Sequence, residues 1–131
     1  MPAYNFQSQF AEAVARGDKC QTIRANGKRR HASPGERLQL YTGMRTKACR
    51  KLVTPDPVCV STLRVELVSS NVARFSCFLE IDRVRLSQEQ EDAFAQADGF
   101  SSFYDMVEWF KKTHGLPFEG VLIRWQHDSS R

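Results

Sequence analysis

The sequence predicts an α+β domain built on a small, mostly antiparallel β-barrel with flanking helices. About six short segments have the alternating or β-branched pattern of strands, and an amphipathic helix is predicted near each end of the chain. Helices and strands do not alternate regularly enough for parallel βαβ units. A length of 131 residues suits one compact domain, so we assign residues 1–131 to a single domain.

A short helix is predicted close to the N-terminus. Apolar residues recur at helical spacing from Phe6 to Val14, which predicts an amphipathic helix over residues 7–16. Gly17 stands where a C-terminal cap is expected, since glycine adopts the left-handed conformation that ends many helices. The helix therefore delivers the chain to the segment that begins at Gly17.

A strand is predicted directly after this helix. Residues 20–24 alternate in polarity and include the β-branched pair Thr22 and Ile23. Because side chains alternate between the two faces of a strand, Thr22 and Arg24 share one face and Ile23 lies on the other. Residues 25–36 are rich in Gly, Pro, Ser and charge, which predicts a loop.

The rest of the chain supplies more strands and two more helices. Residues 45–51 carry too much charge for a core element. Four segments have strand patterns: residues 37–42, 58–68, 73–81 and 121–125. Helices are predicted over residues 86–97, beginning near Ser87, and over residues 101–113, with Ser101 or Ser102 as the N-cap.

Charge is distributed unevenly along the chain. Residues 1–52 contain eleven Lys and Arg against three Asp and Glu, a net charge of +8. Residues 53–131 contain eight against twelve, a net charge of −4. A basic half is typical of domains that bind a phosphate-bearing ligand, but a solubilising surface has the same composition, so charge alone leaves both interpretations open.

Several classes of function are not expected. No apolar stretch approaches the roughly 18 residues that a membrane helix needs, and the first ten residues lack the basic and apolar regions of a secretory signal. We therefore expect a cytoplasmic protein with no membrane partner. The four cysteines form no CxxC pair, so we expect no metal site and no cofactor. Cys20 lies beside Lys19, whose charge is expected to lower the pKa of the thiol.

Three motifs carry a resemblance to a known family. Residues 17–24 read GDKCQTIR and fit the pattern G-x-K-x-x-T-I-R, which resembles the signature of the ASCH (activating signal cointegrator homology) domain, a relative of the PUA RNA-binding fold. Residues 34–41 are similar to the family's G-D/E element and the strand that follows it. Residues 98–100, which precede the predicted helix at 101–113, resemble its E-G-F element. The motifs occur in the family's order and together cover most of the chain.

The resemblance implies a small β-barrel with a polar central cleft and a function connected with RNA. Some small members hydrolyse the acetyl amide of N4-acetylcytidine with a lysine, a threonine and a glutamate, which correspond here to Lys19, Thr22 and Asp98. A buried lysine with a lowered pKa is a suitable base for activating a hydroxyl. Asp98 is shorter than the family glutamate by about 1.5 Å, and a misplacement of about 1 Å costs on the order of 10²-fold in rate. The resemblance therefore favours binding over catalysis.

Further cations are predicted to contact phosphate. Arg24 is expected to hold a phosphate, a developing oxyanion or the carboxylate of Asp98. Arg45, Lys47 and Arg50 are predicted to form a phosphate-contacting rim on the cleft, with a solvated loop as the alternative. The basic run at residues 28–31 has the same two interpretations.

Three aromatic residues are candidates for stacking on a base. These are Tyr41, Phe100 and Trp125, and each has a place in the core as its alternative. The three histidines are scattered along the chain, and we assign none of them a catalytic role.

Three functions are consistent with these residues. The chain binds RNA or a modified nucleoside or nucleotide, hydrolyses the amide of an acylated cytidine, or cleaves RNA as a ribonuclease. The alternative is that these residues have no functional role. Lys19 and Arg24 are then surface cations, Asp98 is an acidic residue in a turn and Thr22 is an ordinary strand residue. Every functional interpretation requires Lys19, Thr22 and Asp98 to point into one basic hollow.

Overall fold

The computed structural model describes residues 2–27, 30–69 and 77–127, which form three helices and eight strands. In chain order these are β1 (Ala3–Phe6), α1 (Ser8–Arg16), β2 (Gln21–Ala25), β3 (Gln39–Thr42), β4 (Arg50–Lys51), β5 (Val58–Ser69), β6 (Cys77–Ile81), β7 (Val84–Arg85), α2 (Gln88–Ala97), α3 (Phe103–Thr113) and β8 (Phe118–Gln126). The predicted α+β class is confirmed. No helix in the described residues is long and apolar enough to cross a membrane.

The strands form two sheets. The larger sheet has the order β2-β8-β5-β6-β7 with antiparallel neighbours throughout, and the smaller has the order β1-β3-β4. Within the smaller sheet β1 and β3 run parallel, whereas β3 and β4 run antiparallel. A bridge between Arg37 and Val58 links the chain before β3 to the start of β5. Within the described residues neither sheet closes into a barrel, so the mostly antiparallel arrangement is the part of the fold prediction that is confirmed.

The predicted helices match the observed ones to within two residues at each end. Ser102 caps α3, because its hydroxyl accepts a hydrogen bond from the backbone N–H of Asp105 at 3.1 Å. The strand predicted at 73–81 is observed from Cys77 to Ile81, and its first four residues lie outside the described part of the chain.

Three strands were not predicted. β1 carries alternating buried residues, Tyr4 and Phe6, but with four residues its pattern is too short to stand out. β4 lies in the segment that appeared too charged for a core element. Arg50 and Lys51 are both exposed on this edge strand, so it needs no apolar residues of its own. β7 is likewise a two-residue exposed edge strand.

The core has two parts. One lies among α1, the smaller sheet and strands β5 and β8 of the larger sheet, and it includes Phe10, Leu40 and Trp125. The other lies between the larger sheet and helices α2 and α3 and includes Leu79 and Phe110. The half-buried aromatic rings of Phe100 and Trp109 pack against both parts. The junction between the two parts of the core is where the candidate site lies.

Candidate functional site

A cavity of about 300 Å³ opens beside the junction of the two core parts. Its walls come from β1, α1, β2 and α3, and from the segment that joins α2 to α3. The aromatic lining residues are Phe6, Phe10, Phe100, Trp109 and Phe110. The ionisable and hydroxyl-bearing lining residues are Lys19, Thr22, Arg24, Asp98, Thr113 and His114. Lys19, Thr22 and Asp98 therefore lie in one hollow, although residues 19 and 98 are 79 positions apart.

The end of α1 sets the position of Lys19. Gly17 has a φ of 85°, and this left-handed conformation turns the chain so that the backbone N–H of Lys19 donates to the carbonyl of Ala13 at 3.0 Å. β2 then runs along β8, with Thr22 opposite Ile123 and Arg24 opposite Val121. Because alternate strand residues share a face, Thr22 and Arg24 both lie on the cavity side.

Lys19 and Asp98 form a buried ion pair. The Lys19 Nζ lies 3.2 Å from the Asp98 Oδ1, and the two side chains are only 4% and 5% exposed. The same ammonium donates to the Asp98 carbonyl and lies 5.1 Å from the centre of the Phe10 ring. Gln21 Nε2 donates to the Asp98 Oδ1 at 3.2 Å. The carboxylate is thus held by a cation and an amide away from bulk water.

Burial shifts the pKa of both members of this pair. Desolvation lowers the pKa of Lys19, and the nearby Arg24 charge lowers it further, while Asp98 opposes both effects. Desolvation likewise raises the pKa of Asp98 against the opposing effects of Lys19 and Gln21. The amine is therefore easier to deprotonate than an exposed lysine. An amine in this state is able to accept a proton from a neighbouring hydroxyl.

The Thr22 hydroxyl is hydrogen-bonded to Arg24 and not to Lys19, the base that would activate it. Arg24 Nε donates to Thr22 Oγ1 at 3.1 Å, and no hydrogen bond joins Thr22 to Lys19 in the described residues. Arg24 also donates from Nη2 to the Asn5 carbonyl at 2.8 Å, and its guanidinium lies 4.9 Å from the centre of the Phe6 ring. Arg24 therefore fixes the hydroxyl and is itself fixed by β1.

The predicted ligand-binding residues divide into two groups. Phe100 lines the cavity and packs edge-on against Phe10, and Arg24 lines both the cavity and a neighbouring groove that Arg45 also lines. Tyr41, Lys47 and Arg50 line neither concave region. The roles predicted for these last three residues have no support from the geometry. Trp125, the remaining stacking candidate, is 3% exposed and packs in the core against Phe6.

Gln21 and His114 are among the residues at the site that the sequence did not indicate. Gln21 is buried, and its side chain contacts Asp98. The only indication of this in the sequence is a polar residue on a strand that contains β-branched side chains. His114, the C-cap residue of α3, lines the cavity, and its ring centre lies 5.5 Å from that of Phe110. Partial burial and the charge of Arg24 lower the pKa of His114, which favours its neutral form.

The prediction for Cys20 is wrong. Burial raises the pKa of its thiol, and the negative charge of Asp18 raises it further. The Lys19 ammonium is directed at Asp98, and the Cys20 thiol donates instead to the Gly17 carbonyl at 3.3 Å. Lys19 and Cys20 are adjacent in sequence, but their side chains bond to different groups.

The described residues include no group of three His, Cys, Asp or Glu side chains that would hold a metal ion. In comparisons with protein-family models, curated proteins and solved structures, nothing matches this chain. The functional interpretation therefore depends on the cavity itself and on the sequence motifs that line it.

Proposed function

We propose that the chain is an ASCH-type domain of the PUA-like barrel class that binds RNA or a modified nucleoside in the cavity. One observation carries this proposal: Lys19, Thr22 and Asp98, the three residues picked out by the motif resemblance, line the same hollow. The bridge between Arg37 and Val58 brings the chain just before β3 next to β5, which is consistent with two sheets that are parts of one such barrel. The location that goes with this function is the cytoplasm.

The cavity has the size and lining that a nucleoside requires. Its volume of about 300 Å³ is at the lower end of the range for small-molecule sites, about 300–1,000 Å³. The rings of Phe10, Phe100 and Trp109 provide apolar walls, and single-stranded bases are commonly recognised by stacking on aromatic rings. Thr22 and Lys19 provide hydrogen-bonding groups for the edge of a base.

Amide hydrolysis of an acylated cytidine is the second candidate, favoured by the lowered pKa of Lys19 close to a hydroxyl. In this reaction Lys19 first passes one proton to the Asp98 carboxylate. The neutral amine then takes the Thr22 proton, and the hydroxyl oxygen attacks the acetyl carbonyl. Arg24 is placed to stabilise the oxyanion that forms. The protonated Lys19 then gives its proton to the leaving amine, and water hydrolyses the acyl-threonine. Lys19 must first leave Asp98 for Thr22, whereas binding needs no rearrangement, and this ranks binding first.

The test measures binding and cleavage with wild type, two cavity variants and one control variant. Wild type, Thr22→Val and Lys19→Ala are incubated with N4-acetylcytidine and with labelled single-stranded RNA. Deacetylation is followed chromatographically, strand cleavage on gels, and affinity by calorimetry. Thr22→Val keeps the branched shape of the side chain while removing its hydroxyl. Lys111→Ala, which removes an exposed cation from the last turn of α3, is the matched charge control.

Each outcome assigns a function. Binding of N4-acetylcytidine or RNA that weakens in Thr22→Val and Lys19→Ala, but not in Lys111→Ala, supports the binding function. Deacetylation that both cavity variants abolish makes the chain an amidohydrolase, and strand cleavage makes it a ribonuclease. If wild type neither binds nor converts either substrate, the proposal is wrong. Circular dichroism establishes that each variant is folded, and Thr22→Val carries the test if Lys19→Ala is not.

A further inference from the structure

A groove of about 860 Å³ lies next to the cavity and is strongly basic. Its lining residues include Arg24, Arg30, Arg45 and His31, and none of the described residues in the lining carries a carboxylate. Asn5, Arg24 and Ala25 line both the groove and the cavity, so the two concave regions adjoin each other at these residues. A ligand in the cavity would therefore extend past Arg24 into a region of positive charge.

Arg24 has hydrogen-bonding capacity left over at this junction. A guanidinium has five N–H donors, and Arg24 uses Nε on Thr22 and one Nη2 proton on the Asn5 carbonyl. Its other donors have no acceptor among the described residues. Burial lowers the pKa of Arg24, yet an arginine remains charged at neutral pH. The junction thus presents a fixed cation with open donors.

Arg45 is held on the same side of the groove by the same asparagine. The backbone N–H of Met44 donates to the Asn5 side-chain oxygen at 2.9 Å, so Asn5 anchors the turn that carries Arg45 as well as the Arg24 guanidinium. The turn has a defined shape, since Thr46 Oγ1 donates to the Gly43 carbonyl at 2.6 Å. The exposed Arg45 side chain has no ion-pair or hydrogen-bonding partner in the described part of the chain.

The other two basic groups of the groove are already occupied. Arg30 makes two hydrogen bonds to Glu36, at 2.7 and 2.9 Å, and these bonds lower the pKa of Glu36 to about 2. His31 Nε2 donates to the Ala25 carbonyl at 3.0 Å, and its Nδ1 faces the Tyr4 hydroxyl at 3.3 Å. Among the described residues that line the groove, Arg24 and Arg45 are therefore the two cations that are available to an added anion.

We propose that this groove binds the phosphate of a nucleoside whose base occupies the cavity, so that the ligand is a nucleotide or an RNA strand and not a free nucleoside. The inference rests on the proposed function of the cavity. Arginine pairs are suited to phosphate because the planar guanidinium donates to two oxygens at once. The groove is almost three times as large as the cavity, which leaves room for the sugar and for a flanking nucleotide.

The experiment compares ligands that differ only in phosphate. Dissociation constants are measured by calorimetry for cytidine, cytidine 5′-monophosphate, cytidine 3′-monophosphate and the trinucleotide CpCpC, each with and without the N4-acetyl group. Hydrogen bonds to a charged group predict that the preferred phosphate tightens binding about tenfold or more at low salt. In Arg45→Ala most of this gain is lost while nucleoside affinity stays the same. Lys111→Ala keeps the gain.

The outcomes separate this inference from the function of the cavity. A gain confined to one monophosphate assigns a mononucleotide of that polarity, and a further gain with the trinucleotide assigns an RNA strand. The inference is overturned if the nucleosides bind as tightly as their phosphates, a result that leaves the cavity function intact. It is also overturned if Arg45→Ala and Lys111→Ala reduce the gain equally, since the attraction is then diffuse. If no ligand binds at all, the proposed function itself is overturned.

Discussion

Helix α2 has a buried carboxylate near each end, and the two are held by different partners. In the first turn, Glu91 Oε2 accepts a hydrogen bond from the backbone N–H of Leu79 at 2.9 Å. At the C-terminal cap, Asp98 is paired with the Lys19 ammonium and with Gln21. Burial raises the pKa of both carboxyl groups. A raised pKa on a buried acid is therefore not enough to identify a functional site in this protein.

The nature of the partner separates the two ends. The amide of Leu79 is a neutral donor, so Glu91 ties the start of α2 to β6, whether or not it carries a proton. Lys19 is itself titratable, and it faces a cavity that also contains Thr22 and Arg24. Changes at Asp98 therefore alter the charge and chemistry of the site. Changes at Glu91 alter only how the helix packs.

The largest difference between the two ends is expected from Lys19→Met and Glu91→Gln. Lys19→Met leaves a buried carboxyl group without its cation, which typically costs about 3–5 kcal/mol in the free energy of unfolding. Glu91→Gln keeps an oxygen that accepts the Leu79 N–H, so its cost is expected to be about 1 kcal/mol or less. Urea denaturation of both variants measures the difference.

The double variant Lys19→Met, Asp98→Asn is the control for this interpretation. It removes the uncompensated carboxyl group, so it should recover part of the stability that Lys19→Met loses. The losses of stability in Lys19→Met and in Asp98→Asn alone are compared with the loss in the double variant. If the two losses simply add, Asp98 is not coupled to Lys19, and the two ends of α2 are equivalent.

The sequence indicated the buried carboxylate at the C-terminal end of α2 but not the one at the N-terminal end. Asp98 was picked out because it precedes a glycine in a recognisable motif. Glu91 belongs to the acidic run at residues 89–92, a pattern that indicates a solvated helix face, because acidic residues in a first turn are favourable without any tertiary contact. It is 6% exposed only because β6 lies across it, and β6 is placed by its pairing with β5. Local patterns carry no information about such long-range pairing.

The difference between local patterns and long-range pairing also explains which site residues the sequence did not indicate. Lys19, Thr22 and Arg24 lie within six residues on one strand and the turn before it, so their shared location followed from local periodicity. Trp109 and His114 reach the cavity only because α3 packs on the larger sheet. Tyr41 lies on the central strand of the smaller sheet and lines neither the cavity nor the groove, although the motif at 34–41 contains it. Alternation alone does not specify which sheet a strand joins.

A smaller difference in stability is expected from substitutions at Gly99 and Ser87, which shape the C-terminal and N-terminal ends of α2. Gly99 has a φ of 98°, and an added Cβ would lie 3.0 Å from Phe10 Cδ1 and 3.3 Å from Lys19 Cδ. Gly99→Ala is thus expected to cost about 1–3 kcal/mol and to displace Lys19. Ser87, the N-cap, accepts from the Gln90 N–H, and Ser87→Ala is expected to cost about 1 kcal/mol.

Thermal unfolding and ligand binding check this pair together. Gly99→Ala should lower both the Tm and the affinity of the cavity for its ligand, whereas Ser87→Ala should lower the Tm alone. Loss of affinity in Ser87→Ala would mean that the cavity depends on the whole of α2. The contrast between its two ends would then have no functional meaning.

The smallest expected effect is the pH dependence that Glu91 contributes. Desolvation raises the pKa of Glu91 above its ordinary value of 4.5, against the opposing effects of the Leu79 N–H and Arg85. The folded state therefore holds this proton more tightly than the unfolded chain does. Below pH 4.5 both states are protonated and the contribution to stability is full. As the pH rises through the raised pKa, the contribution is lost.

Glu91→Gln removes this titration, so the stability of wild type relative to Glu91→Gln should fall across that window and stay level at higher pH. Urea denaturation of both proteins at a series of pH values gives this difference directly. A difference that instead grows with pH would mean that Glu91 is stabilised as an anion, and that the two ends of α2 hold their carboxylates by the same kind of charge pairing.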